Sequence, residues 1–289
     1  PIQMKRYETK TLTAQTYAID PVLDYGLIPL EHLTIGYMIY TDFVFRGNAS
    51  LAQLNHVFQT LKAANIDEFI LDLRYNQGGY IFAVKQLCSL LAPEEVVENE
   101  ELLIHKRWNK AYQERYANDP DRLEEHFDKS VPLDSRLNLK RLWVITSHVT
   151  ASASEMLISA LSPYMKVNVV GDLTMGKNMG GIIYTPNDKD LQNWNIMLIS
   201  TEYSNSREES VKGGIPPMFP ILEQFHHQHQ LGDQEEPLLA ATLQLITQDT
   251  IATPVMNRRS SRSLGTDAPR RIIPEFVQAK SRLLLGIEN

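Results

Sequence analysis

Three short stretches of this sequence carry residue types that can do chemistry. In Thr150-Ala151-Ser152-Ala153-Ser154-Glu155, hydroxyls alternate with small residues between an apolar stretch and a helical one. A nucleophilic Ser needs a sharp turn and small neighbours that let a carbonyl approach. It also needs backbone N–H groups to receive the charge that develops on oxygen. A helix N-terminus adds positive potential. The same residues also spell an N-cap, the commonest use of Ser ahead of a helix: Ser152 and Glu155 have capping-box spacing.

The second stretch is Gly171-Asp172-Leu173-Thr174-Met175-Gly176-Lys177-Asn178. It has the G-x-x-x-x-G-K of a phosphate loop, with Asn178 where Ser or Thr should hold Mg²⁺. A phosphate-loop Lys opens a helix, whereas Met179-Gly180-Gly181 leads here into strand-like Ile182-Ile183-Tyr184. A nucleotide site is a poor match. Lys177 is either a solvated loop lysine or an amine held against backbone, where burial would favour the neutral form that acts as a base. At its ordinary pKa of about 10.4 a Lys is well under 1% base at neutral pH, so a working Lys177 requires desolvation. The third stretch, Asp72-Leu73-Arg74-Tyr75-Asn76-Gln77-Gly78-Gly79, ends in paired glycines. They allow backbone N–H groups to face a ligand, as in an oxyanion hole, and equally allow a plain turn. Tyr80, Ile81 and Phe82 beside it either line an apolar pocket or form the buried face of a helix.

His226, His227 and His229 cluster without an acidic or Cys partner at ligand spacing, so they read as a polar loop and no metal site is expected. The one cysteine, Cys88, excludes an internal disulfide and a Cys-built metal site.

The elements that would position these stretches follow from periodicity. Residues 34–40, 68–73, 141–146 and 167–171 are buried-strand runs, with further strands near 181–185 and 194–201. Helical spacing appears over 49–64, 80–91, 155–162 and 235–248. Strands alternating with helices predict an α/β core with crossover connections. Residues 95–140, charged and irregular, predict a helical excursion, and 213–220 a Gly-Pro loop. Hydrophobic residues make up 43% of the 289 and charged residues 22%, ordinary globular usage. No apolar run approaches the roughly 20 residues of a membrane helix.

The net charge is −7, which argues against general nucleic-acid binding. Residues 255–289 run against this trend: seven Lys and Arg against three Asp and Glu give +4, leaving −11 on the rest. The expected organisation is a lead-in segment (1–33) packing on the core, a catalytic core (34–250) and a basic extension (251–289). The opening Pro1-Ile2-Gln3-Met4-Lys5 lacks an initiator Met and a signal, as in a mature or trimmed form.

The order D-L-R-x-N-x-G-G, T-A-S-A-S-E and G-K resembles the catalytic domain of the C-terminal processing (tail-specific) serine proteases. In that family the Ser before Ala-Ser-Glu and the Lys 25 residues later form a dyad, which falls on Ser152 and Lys177. The likeness extends to Ala18-Ile19-Asp20-Pro21, to Ile35-Gly36-Tyr37-Met38 and to Gly214-Ile215-Pro216-Pro217, so it covers roughly residues 15–250.

The resemblance implies a crotonase-like, Clp protease-like α/β core of repeated ββα units with an irregular helical insertion and a C-terminal extension. It implies peptide hydrolysis near apolar C-terminal ends, with Gly78, Gly79 and Ala153 as oxyanion donors and Glu155, Asn178 and Gly181 as possible support. It implies no cofactor, protein or peptide substrates, and a bacterial periplasmic or envelope location. Two departures stand out. Many relatives carry Gln four residues after the Lys, where this chain has Gly181. Relatives also usually carry a PDZ domain ahead of the core; none is expected within this sequence, which reads either as a fragment or as a chain that has lost the module. A rival on the same scaffold, as in the interphotoreceptor retinoid-binding proteins, carries peptides or apolar ligands without cutting them.

Overall fold

Alternating burial sets the architecture. A computed structural model describes residues 13, 20–30, 32–44, 48–191, 193–223 and 229–248. His226, His227 and the basic extension 251–289 lie outside the described residues. The chain runs through β1 (Val22–Pro29), β2 (Thr34–Tyr40), α1 (Asn48–Ala63), β3 (Glu68–Asp72), α2 (Ile81–Leu91) and α3 (Glu94–Glu98). Next come β4 (Leu102–Trp108), α4 (Lys110–Arg115), α5 (Pro120–Leu123), β5 (Glu124–His126) and β6 (Arg141–Thr146). The remainder is α6 (Ala153–Leu161), β7 (Lys166–Gly171), β8 (Met179–Tyr184), β9 (Ile196–Asn205), β10 (Phe219–Pro220) and α7 (Pro237–Thr247).

The main sheet has the order β1-β2-β3-β6-β7-β10. It is parallel from β2 onward, with β1 added antiparallel at the edge. Successive side chains of a strand point to opposite faces, and here both faces are apolar. Met38, Phe69, Leu71, Leu142 and Val144 pack with Phe58 and Leu61 of α1, Val84 and Leu87 of α2 and Leu157 of α6. Ile35, Tyr37, Ile39, Ile70, Trp143 and Ile145 pack on the other face with Leu239 and Leu243 of α7. Helices on both faces are what a parallel sheet requires, and each fully buried Leu, Ile or Phe contributes about 2 kcal/mol.

A second, antiparallel sheet has the order β5-β4-β9-β8. It corrects the expectation for 95–140, which holds two of its strands besides short helices. Strand β4 (Leu-Leu-Ile-His-Lys-Arg-Trp) hides its period because its charges are paired, Lys106 Nζ lying 2.6 Å from Glu125 Oε1. Strand β1 falls in the segment expected only to lead in. Its exposed Leu23, Tyr25 and Leu27 on an edge give no buried-strand signal. No described helix is long and apolar enough to cross a membrane.

Candidate active site

Sheet order brings the three motifs together. β3, β6 and β7 are consecutive parallel neighbours, with Asp72 opposite Ile145 and Thr146 opposite Gly171. Their carboxyl ends therefore lie side by side, and the loops leaving them are residues 73–80, 147–152 and 172–178. Loops beyond the carboxyl ends of adjacent strands are where open α/β sheets bind ligands.

The first loop is anchored by charge and by amides. Arg74, 1% exposed, donates from Nε to Asp72 Oδ2 at 3.0 Å and, bidentate, to both Glu236 oxygens at 2.8 Å. Burial alone would lower the Arg74 pKa. Asp72 and Glu236 outweigh burial and raise it, so the guanidinium stays charged. Burial would likewise raise the Glu236 pKa, and the Arg74 pair instead holds it below the usual carboxylate range. Asp72 also accepts the Tyr37 hydroxyl at 2.9 Å. Burial, then Asp72, pushes that phenol well above its ordinary value.

Farther along, Asn76 is fully buried and spans the turn. Its Nδ2 donates to Tyr40 O at 2.8 Å, and its Oδ1 accepts the Gly78 N–H at 2.8 Å. The Asn76 carbonyl accepts from Ala151 N at 3.1 Å and Ser154 Oγ at 3.0 Å, tying the turn to the serine loop. Gly78 has φ 101°, and a Cβ there would stand 2.7 Å from Ser152 Cβ and 2.8 Å from Ala153 N. Only glycine admits this approach.

Ser152 sits at φ 57°, ψ −116°, a conformation natural to glycine in tight turns. Ser152 is the N-cap of α6 and forms the expected capping box with Glu155, but its positive φ departs from the extended backbone of an ordinary N-cap. Thr150 holds the turn from behind, donating to Leu73 O at 2.9 Å and accepting Ser147 N–H at 2.9 Å.

Glu155 joins the serine loop to the lysine loop. Its carboxylate is fully buried, and one oxygen, Oε2, accepts the N–H of both Ser152 and Lys177, each at 2.8 Å. The two backbone nitrogens are thus within twice that distance of each other. The other oxygen accepts Thr174 Oγ1 at 2.6 Å and Gly176 N–H at 2.5 Å. Thr174 Oγ1 in turn accepts Ile215 N–H at 2.7 Å, which adds the Gly-Pro loop. The amides a phosphate would need are filled by this internal carboxylate, and Lys177 lies in the loop that leads into β8 rather than at the start of a helix. The phosphate-loop reading is therefore wrong for a physical reason.

Several expectations change. The Lys177 side chain is exposed rather than desolvated. Among the described residues no hydrogen bond joins Ser152 Oγ to Lys177 Nζ. The Gly78 N–H is taken by Asn76, whereas the N–H groups of Gly79 and Ala153 have no partner among the described residues. Asn178 Nδ2 donates to Ser210 Oγ at 3.1 Å. A Cβ on Gly181 would stand 2.0 Å from Leu198 O, so this backbone admits no side chain there. Tyr80 and Phe82 are 55% and 43% exposed, not a buried helix face. His229 does have acidic neighbours, Asp233 at 3.2 Å and Glu235 at 3.9 Å. The turn before α7 brings them together in a partly exposed cluster. Cys88 is fully buried, and burial pushes its thiol far above its ordinary pKa, which removes it as a nucleophile. Sequence reasoning missed Asn76, whose partners lie 2 to 78 residues away, and the double role of Glu155, whose capping-box spacing was visible.

Comparison with known proteins identifies the family. Residues 34–220 match the model of peptidase family S41, and the chain belongs to that family. It is 25% identical over 242 residues to a carboxyl-terminal-processing protease of Picosynechococcus sp., covering 83% of this chain and 52% of that protein. A carboxyl-terminal-processing protease of Synechocystis sp. is 25% identical over 169 residues, covering 58% of this chain and 34% of that protein. The chain thus spans about a third to a half of these relatives. Among solved structures, an S41-family protein from Bacteroides fragilis superposes with a TM-score of 0.72 at 26% identity, covering 81% of this chain and 59% of that one. The photosystem II D1 C-terminal processing protease shares the fold, with a TM-score of 0.50 at 18% identity, covering 72% of this chain and 50% of that one.

Proposed function

We propose that this chain is a serine peptidase that cleaves peptide bonds by acyl transfer, with Ser152 as nucleophile and Lys177 as general base. The observation that carries this reading is Glu155 Oε2, which holds the backbones of both residues on one atom. Lys177 Nζ, uncharged, takes the Ser152 proton as Oγ attacks the scissile carbonyl carbon. The resulting oxyanion is received by the free N–H groups of Gly79 and Ala153, and one such donor is worth about 3 kcal/mol of barrier. The C–N bond breaks as Nζ returns the proton to the leaving amine. A water then attacks the ester carbonyl as it gives its proton to Lys177 Nζ, and the second tetrahedral adduct collapses as Nζ passes that proton to the departing Ser152 Oγ, which releases the acid and restores both residues.

Because Lys177 is exposed here, its desolvation falls to the bound substrate, which would cover the amine and favour its neutral form. Exposed Tyr80 and Phe82 beside Gly79 support a preference for apolar chain ends in protein substrates. The bacterial envelope is the location that goes with this reading.

A second reading, a peptide- or apolar-ligand-binding relative without turnover, is favoured by Gly181, which leaves the amine without the side chain many relatives supply. A fluorophosphonate probe separates the two. Labelling of the wild-type chain that disappears in Ser152→Ala supports the peptidase, and an unlabelled wild-type chain overturns it.

A further inference from the structure

Strand β8 pairs only with β9, and its other side is an unpaired sheet edge among the described residues. The edge begins at Met179, two residues beyond Lys177. Tyr203 N–H donates to Asn178 O at 2.9 Å, and an antiparallel ladder alternates between paired and outward-facing groups. The Met179 N–H and C=O therefore point away from β9, into the open edge. Sheet edges that must not associate carry Lys, Pro or inward charges, but β8 reads Met-Gly-Gly-Ile-Ile-Tyr. Its centre is bare backbone, because the Tyr203 ring and the Leu198 carbonyl occupy the space a Cβ at Gly180 or Gly181 would need. Apolar side chains flank that bare stretch. Leu173 and Met175 are exposed before Lys177, and Met179 and Ile183 on β8 itself. Tyr184 closes the far end, its hydroxyl against that of Tyr112.

We propose that the β8 edge is the substrate-docking strand: an extended, apolar polypeptide segment adds to it as a further strand and is thereby laid beside Lys177. Main-chain hydrogen bonds to β8 supply affinity, and the flanking apolar side chains select uncharged residues. This rests on the peptidase reading for what happens to the segment, but not for its binding. A second copy on the same edge would instead cover the Lys177 loop, which the proposed reaction needs open.

The test uses the full chain with Ser152→Ala, so that a bound peptide stays uncut. The probe is a fluorescein-labelled peptide of alternating Val and Ala, about ten residues long, followed by fluorescence anisotropy. The proposal expects saturable binding, weakened at least about tenfold by Ile183→Lys, the equivalent of one or two backbone hydrogen bonds. It expects the same loss when alternate peptide amides are N-methylated, an arm that leaves the protein untouched. Absent binding, or binding indifferent to N-methylation, overturns it. So does an Ile183→Lys chain that binds normally while sedimentation shows a dimer dissociating, which would assign the edge to a second copy. Fluorophosphonate labelling of wild-type Ser152 reports the catalytic reading separately, so a failure of either is attributable.

Discussion

The two sheets of this protein treat their loose ends in opposite ways. At the carboxyl ends of β3, β6 and β7, side chains saturate one another: Asn76 holds the glycine turn, Glu155 accepts four donors, and Arg74 lies between Asp72 and Glu236. Along β8 and β9 the reverse holds. Ile196, Met197, Leu198 and Ile199 are each about half exposed, and the β8 edge is unpaired among the described residues. The first region is closely paired because each buried polar group left unmatched would cost about 1–3 kcal/mol. The second tolerates bare edges because water, or a bound chain, can satisfy them. The proposed peptidase reaction needs both, a held nucleophile and an unfilled place for a polypeptide.

Substitutions can break that contrast. The largest effect should come from Ser152→Gly, which removes the proposed nucleophile and should lower peptide turnover about 10⁴-fold or more. Because glycine relaxes φ 57°, the same change should raise stability by about 1 kcal/mol in urea unfolding. A loss of stability instead would show that the serine side chain works as a cap. Glu155→Gln comes next. It turns one acceptor oxygen into a donor facing N–H and O–H groups, so turnover should fall about 100-fold, with stability down about 2 kcal/mol. Unchanged kcat would show that the two loops hold their positions without it.

Breaking the Arg74 pair with Glu236→Gln should cost about 3 kcal/mol, since it leaves a buried charge short of a partner. The acid dependence has a definite sign. The Glu236 pKa is lowered on folding, so its contribution is complete above the ordinary Glu value of about 4.3 and is lost as pH falls through the lower folded value. Wild-type stability should drop in that window, and the Gln variant should show a shallower drop. The smallest effect belongs to the open sheet, where Met197→Thr should change stability by no more than about 0.5 kcal/mol.

Much of the main sheet was legible because its residues answer to local rules. Thr34–Tyr40 and Arg141–Thr146 are apolar on both faces, and α1 shows its Leu54, Val57, Phe58, Leu61 stripe. The second sheet was illegible for the complementary reason. Half-buried strands with paired charges, such as β4, lose the period that reveals a strand. The site divides similarly. The chain by itself determined which groups are present and their order: the hydroxyl amid small residues, the amine 25 positions on, the twin glycines, and a carboxyl at capping distance. Only tertiary structure decided how they serve. The neighbouring places of β3, β6 and β7 set three loops side by side, Glu155 bonds across 22 residues to the Lys177 amide, and Asn76 takes the amide expected from Gly78. Such assignments depend on which distant backbone groups arrive within hydrogen-bond reach, and that is a property of strand order, which local spacing does not encode.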